Sequence, residues 1–265
     1  VGGLFALLVL GALGCRQRPP PPTAAPIADV AVDAGAPALV AARDATAGAP
    51  GGRLMDLAGE TAVTMARIRG LSLQHEVRRG VMDRDAIVSR LREKTAREYP
   101  PGEILLEGEL YKRLGLLPEA MDYERTMFDL LEEQVAGFYD PDEQTLYIAG
   151  WLPSAAQPVT MAHEITHALQ DQHFQIGRYT HHVRGRGDAQ TAAMAVIEGD
   201  ATASMLDFML APMGRRTRDM PDVTAMVASQ LQGADQMRLR EAPRALRESL
   251  LFPYLAGLGM CVRAL

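Results

Sequence analysis

The segment 158–173, Pro-Val-Thr-Met-Ala-His-Glu-Ile-Thr-His-Ala-Leu-Gln-Asp-Gln-His, constrains the fold of this chain more than any other. After Pro158 it meets no proline or glycine until Gly177, so it reads as one helix. Pro158 stands in the first turn, where a missing N–H costs nothing. Inside the helix His163, Glu164 and His167 spell H-E-x-x-H. Residues four apart lie about 40° from each other around a helix, one turn up, so the two imidazoles can grip one metal ion. Glu164 lies about 100° round from His163, beside such an ion, where a carboxylate can take a proton from water held by the metal. Val159, Ala162, Thr166 and Leu169 are expected to line the packed side.

Two histidines are half a site. Catalytic zinc needs a third protein ligand and one open position. The chain has only two cysteines, Cys15 and Cys261, far apart and without C-x-x-C spacing, so the remaining ligand must be histidine or carboxylate. His173 lies six residues beyond His167, the spacing of the H-E-x-x-H-x-x-G-x-x-H pattern. That pattern needs a glycine where Gln170 stands, because the chain must leave the helix to bring the last histidine back. On a continuous helix His173 sits about 9 Å further along the axis than His167. Glu198 is the better candidate: an antiparallel helix can deliver its carboxylate to the first helix, and Gly199 allows close approach. His181, His182 and Asp188 remain as alternatives. Tyr179, His181 or His182, in the loop read between the helices, could donate to an oxyanion.

The rest of the chain reads as mostly helical with a short sheet, an α+β class. Leu54, Leu57, Val63, Met65, Ile68 and Leu71 form a loose helical pattern broken at Gly70. Leu73 to Arg78 alternates as a short strand. Asp83 is an N-cap for a helix running to Glu98, with Ile87, Val88 and Leu91 inward. Helices follow over 103–114 and 123–135, and then a strand–turn–strand over 136–148 built around Asp140-Pro141-Asp142. That hairpin could offer an edge strand to an extended peptide. Beyond the H-E-x-x-H helix a helix spans 188–210, a connection runs from Pro212 to Pro221, and helices cover 222–240 and 243–251. Pro253 is expected to start one more element, which carries no closing signal before Leu265, so the domain reads as continuing. The plentiful methionines and few aromatics suit a helical core.

Residues 1–14 are continuously apolar and end at Ala12-Leu13-Gly14-Cys15. As a helix the run would be about 21 Å long, short of the roughly 30 Å of a membrane core, so it matches the h-region of a signal peptide. The ending resembles the lipobox of bacterial lipoproteins, with Cys15 as the lipid-attachment residue, although Ala12 replaces the usual leucine and no basic residue precedes the run. Arg16 follows the cysteine where an inner-membrane lipoprotein commonly has aspartate, so an outer-membrane anchor is expected in a Gram-negative host. Residues 16–52, rich in proline and alanine, cannot bury enough surface to offset ordering and read as a disordered tether. The expected organisation is therefore anchor 1–15, tether 16–52 and folded domain 53–265. The net charge of −6 without a basic stripe argues against nucleic acid. Arg215, Arg216 and Arg218 read as a solvated loop.

On these residues the chain resembles a known group. His163-Glu164-Ile165-Thr166-His167 followed by Glu198-Gly199-Asp200-Ala201 looks like the gluzincin branch of zinc metallopeptidases. More narrowly, Val135-Ala136-Gly137-Phe138-Tyr139-Asp140-Pro141 together with 163–172 resembles a group of bacterial exported proteins. The likeness is tight over 135–202 and loose over 55–265. It implies a zincin-like domain, one zinc ion bound by His163, His167 and Glu198, and Glu164 as base. The function implied is that of a membrane-tethered metallopeptidase acting on peptides or proteins of the cell envelope. The alternative is a non-catalytic zinc lipoprotein serving as a binding or structural module. Thermolysin-like gluzincins carry an aspartate four residues after the ligand glutamate to orient a zinc histidine; here that residue is Thr202, Asp200 points nearly opposite to Glu198, and Asp171 is the remaining candidate for the role.

Overall fold

The computed structural model describes residues 50–183, 185–233 and 237–264. The apolar run, Cys15 and the tether as far as residue 49 lie outside them. The first helix, α1, spans Pro50–Arg69, so helical structure begins within the last three residues of the expected tether. β1 (Arg78–Met82), α2 (Arg84–Glu98), α3 (Glu103–Arg113) and α4 (Tyr123–Gln134) follow. Then come β2 (Gly137–Asp140), β3 (Thr145–Ala149), α5 (Gln157–Phe174), the single turn α6 (Gly177–Thr180) and α7 (Gly187–Leu210). Two 3-10 turns lead into α8 (Val223–Gly233), α9 (Met237–Glu241) and α10 (Arg244–Ala264). The described chain is thus mostly helical with one small sheet, as its residue pattern predicts. Among the described residues no helix is long and apolar enough to cross a membrane.

The sheet has the order β1-β3-β2, with β1 parallel and β2 antiparallel to the central β3. Side chains alternate across it, as the two-residue period of a strand requires. Tyr139, Leu146 and Ile148 join the large core against α5, whereas Phe138 and Ala149 pack with Ile87 and Leu91 of α2. Asp83 caps α2 by accepting the Ala86 N–H at 2.8 Å, as expected. A third cluster, Tyr123, Phe128 and Leu131 of α4 with Leu246, Leu250 and Tyr254 of α10, holds the far end together.

The stretch read as a loop over 178–188 holds the turn α6, and α8 and α9 lie in the stretch read as one helix over 222–240. Three further boundaries differ from expectation. Residues 73–77 are not a strand; their backbone is held by side chains of α5 instead. Gln172 Oε1 accepts the Gln74 N–H, Gln172 Nε2 donates to the His75 carbonyl, and His173 Nε2 lies 2.7 Å from the Ser72 carbonyl. The strand starts five residues later, where β3 offers a partner. α5 stops at Gln175, in the left-handed region at φ 53°, two residues before the glycine expected to end it. Pro253 begins no new element: it lies buried inside α10, which runs unbroken from Arg244 to Ala264. Proline removes one helical hydrogen bond, and packing on both sides of it compensates. Leu246, Leu250 and Tyr254 anchor one side, while Leu258 enters the core around α5 and α7.

Helices α7 and α10 cross in close backbone contact. A Cβ built on Gly199 would stand 2.1 Å from the Gly257 carbonyl carbon, and one on Gly257 would stand 1.9 Å from the Ala195 oxygen. Only glycine on both helices permits this crossing. It occurs one residue from Glu198 and one turn from Tyr254, so the two glycines set the position of α7 where Glu198 lies.

Candidate metal centre

α5 is buried on every side from Thr160 to Asp171. The sheet, α1 and α7 surround it, which is why the apolar residues Met161, Ala162, Ile165, Ala168 and Leu169 share the helix with His163, Glu164 and His167. Burying three such polar side chains is costly unless they are partnered. Their partners come from two other elements.

α7 supplies the first. Glu198 Oε2 lies 3.1 Å from His163 Nε2 and 3.4 Å from His167 Nε2, and the two Nε2 atoms are 3.1 Å apart. Three metal-ligating atoms therefore converge on one point. Bonds of about 2.0–2.1 Å at tetrahedral angles would hold such atoms about 3.3 Å apart, so the donor set fits a single small cation. The second oxygens, Glu198 Oε1 and Glu164 Oε1, are buried without a hydrogen-bond partner. Orphaned carboxylate oxygens at a buried site call for a cation or an ordered water. His163, His167 and Glu198 can thus hold a metal ion.

Electrostatics agree. Burial lowers the pKa of His163 and keeps it neutral. Burial acts the same way on His167, but the neighbouring Glu198 carboxylate outweighs it and carries the pKa up to about 9. Glu198 is pushed up by burial, yet the two histidines hold it down at about 2. One proton, on His167, therefore balances the carboxylate, and a bound cation would take the place of that proton.

β2 supplies the second partner. The Tyr139 N–H donates to Glu164 Oε2 at 2.9 Å, which fixes the carboxylate beside the donor set. Burial raises the pKa of Glu164 to about 8, with His167 pulling it down and Glu198 pushing it up. The hairpin expected to offer a free edge thus spends its Tyr139 N–H on Glu164.

The support for His167 lies in a residue that counted in the sequence only as a missing glycine. Gln170 Nε2 donates to the Ile197 carbonyl at 3.0 Å and to Asp200 at 2.8 Å. Both partners are acceptors, so the amide orientation follows, and Oε1 faces His167 Nδ1 at 2.9 Å. His167 must donate from Nδ1, leaving Nε2 toward Glu198. Asp200 is held in turn by Arg69 at 2.8 Å. The orienting role considered for Asp171 does not hold: its carboxylate accepts the Tyr139 hydroxyl at 2.9 Å. Tyr254 is a further missed neighbour, its ring stacked at 6.1 Å from that of His163. Its approach depends on the helix crossing at Gly257, which no local pattern announces.

The rival ligands are engaged elsewhere. His173, at the end of α5, binds the 72–74 segment through both ring nitrogens. His182 stacks on Tyr99 and lies 3.0 Å from Glu103, and His181 lies between Glu98 and Asp142. Asp188 is exposed at the start of α7. Tyr179, considered with these histidines as an oxyanion donor, is half-exposed, and its hydroxyl accepts from Arg178. The loop carrying them is tied to α2, α3 and the hairpin turn rather than to the metal group.

No family model, curated protein or solved structure matches this chain.

Proposed function

We propose that this chain is a zinc-dependent hydrolase, a metallopeptidase of the gluzincin type with a zincin-like domain. The observation that carries the reading is the convergence of His163, His167 and Glu198 beside a separately held Glu164. His163, His167 and Glu198 would hold the zinc ion. When bound, zinc polarises a carbonyl and brings the pKa of water to about 7. Glu164 is the general base. Its Oε2 is fixed by the Tyr139 N–H while Oε1 keeps no hydrogen-bond partner, so one oxygen positions the group and the other is left to move a proton. Burial raises its pKa to about 8 in the metal-free site, and a bound cation would lower it again, toward the range in which a single group accepts a proton and returns it to a leaving amine. Gln170 holds His167 in the tautomer that presents Nε2. As a lipoprotein attached through Cys15, the enzyme would work on peptides or proteins of the cell envelope.

One observation favours a second reading, a non-catalytic zinc module. His163, Glu164, His167 and Glu198 are exposed by 2, 1, 3 and 0%, which leaves substrate little access in this conformation. Cleavage of a broad peptide library by the full chain, with and without chelator, separates the two. Glu164→Gln is expected to keep its metal and lose turnover by at least about 100-fold, the lower range for a general base. Undiminished hydrolysis by that variant would remove Glu164 from the mechanism. Retained metal with no chelator-sensitive cleavage by the wild type would establish the non-catalytic module.

A further inference from the structure

A cavity of about 750 Å³ lies among α1, the end of α5, α7 and the end of α10, outside the donor set of the metal centre. Its size is within the roughly 300–1,000 Å³ of small-molecule sites. Ile68, Phe174, Val196, Ile197 and Met260 line it. Phe174, Val196 and Met260 are 49, 49 and 40% exposed, so three elements each turn a large apolar side chain into this one opening. Scattered apolar residues on a surface need no explanation, but a continuous concave set does.

The polar groups of the lining discriminate between occupants. Arg69, Asp200 and Gln170 are bonded to one another, and Asp207 accepts the Thr217 N–H. Tyr179, Ser204 and Cys261 add a hydroxyl, a hydroxyl and a thiol, and Arg216 and Arg218, both exposed, are the remaining charged groups of the lining. Within the lining three guanidiniums stand against two carboxylates; Arg69 is paired with Asp200, and Asp219, outside the lining, accepts the Arg216 backbone N–H at 2.8 Å, which leaves the guanidiniums of Arg216 and Arg218 without a salt bridge among the described residues. A peptide in this cavity would bring an N–H and a carbonyl with every residue and find few free partners for them. An alkyl chain brings none, and a carboxylate at its end would satisfy the arginines.

We propose that the cavity binds an alkyl chain ending in a carboxylate, a fatty-acid-like ligand. The chain lies along Phe174, Val196, Ile197 and Met260, and the carboxylate pairs with Arg216 and Arg218. Arg216 and Arg218, which read in the sequence as part of a solvated loop, are then the anion-binding end of the site. This inference goes beyond the hydrolase reading and stands without it.

Dodecanoate, below its micelle concentration, is titrated calorimetrically into the full chain, with dodecanol as the neutral comparison. Saturable binding of one dodecanoate per chain is expected. Val196→Asp, which puts a carboxylate into the apolar wall at a half-exposed position, is expected to weaken it more than tenfold. The double variant Arg216→Ala, Arg218→Ala is expected to weaken dodecanoate about tenfold or more, the loss of a charge-assisted hydrogen bond, and to leave dodecanol within about twofold. Absence of saturable binding, or wild-type affinity in both variants, overturns the proposal. Equal loss of dodecanoate and dodecanol in the double variant overturns the carboxylate assignment. Tighter binding of an apolar tripeptide with a free C-terminus than of dodecanoate overturns the alkyl assignment.

Discussion

Two groups of histidine and carboxylate side chains occur among the described residues, and they differ in what surrounds them. His163, His167 and Glu198 are buried and converge from two long helices, and among the described residues no lysine or arginine pairs with any of them. Glu98, Asp142 and His181 also bring their ligand atoms together, but Asp142 and His181 are each 46% exposed in their side chains. Lys94 already lies 3.8 Å from Glu98 and 3.5 Å from Asp142. His181 faces both acids, one with each ring nitrogen, 3.9 Å from Glu98 and 3.4 Å from Asp142. Residue types alone do not make a metal site. Desolvated donors aimed at one point, with no side-chain cation in the way, gain far more from a metal than hydrated carboxylates that keep a lysine.

The sharpest way to break this contrast is to remove the third donor. Glu198→Ala is expected to weaken zinc binding by more than about 100-fold, the upper end for loss of an outer support. Unchanged metal content by elemental analysis would place the third ligand elsewhere. Gln170→Leu keeps the three donors and removes the hold on His167 Nδ1, so affinity is expected to fall about 10–100-fold. A competition titration against a chelator of known affinity measures it; no change would mean that packing alone orients the ring. The proton on His167 provides a pH test. With its pKa raised to about 9, metal must displace one proton, so affinity is expected to rise about tenfold per pH unit up to about 9. By the same linkage the metal-free protein gains stability from that proton fully below the ordinary histidine value of 6.5. It loses the gain as pH rises through about 9. A flat affinity profile between pH 7 and 9 would show that His167 is already neutral. The smallest effect belongs to the exposed group. His181→Ala is expected to leave metal stoichiometry unchanged and to alter stability by less than about 1 kcal/mol, as for an exposed ion pair. A lost equivalent of bound metal would make the second group a site as well.

Local patterns disclosed the elements but not their neighbours. The H-E-x-x-H helix, the Asp83 cap and the hairpin around Asp140-Pro141-Asp142 were legible because each rests on spacing or on one residue's bond to its own backbone. The shifted strand and the continuous α10 were not. The 73–77 segment has the alternation of a strand, yet strand formation needs a partner, and side chains of α5 hold its backbone instead. Pro253 carries a helix-breaking ring, yet burial on both sides of it outweighs one lost hydrogen bond. The role of Gln170 was illegible for the same reason: its lack of a glycine's freedom was visible, but its bonds to Ile197 and Asp200 span two helices.

The residues by themselves determined two histidines on one helical face, a glutamate beside them and a second helix able to return a carboxylate. Periodicity and turn chemistry act over a few residues, and those statements need nothing more. The tertiary structure alone decided that Glu198 meets both imidazoles at one point, that Tyr139 holds Glu164, and that Gln170 selects the tautomer of His167. The crossing of Gly199 on Gly257 places α7 for the Glu198 and Gln170 contacts, and the packing of β2 on α5 provides the Tyr139 contact, all between residues far apart in the chain.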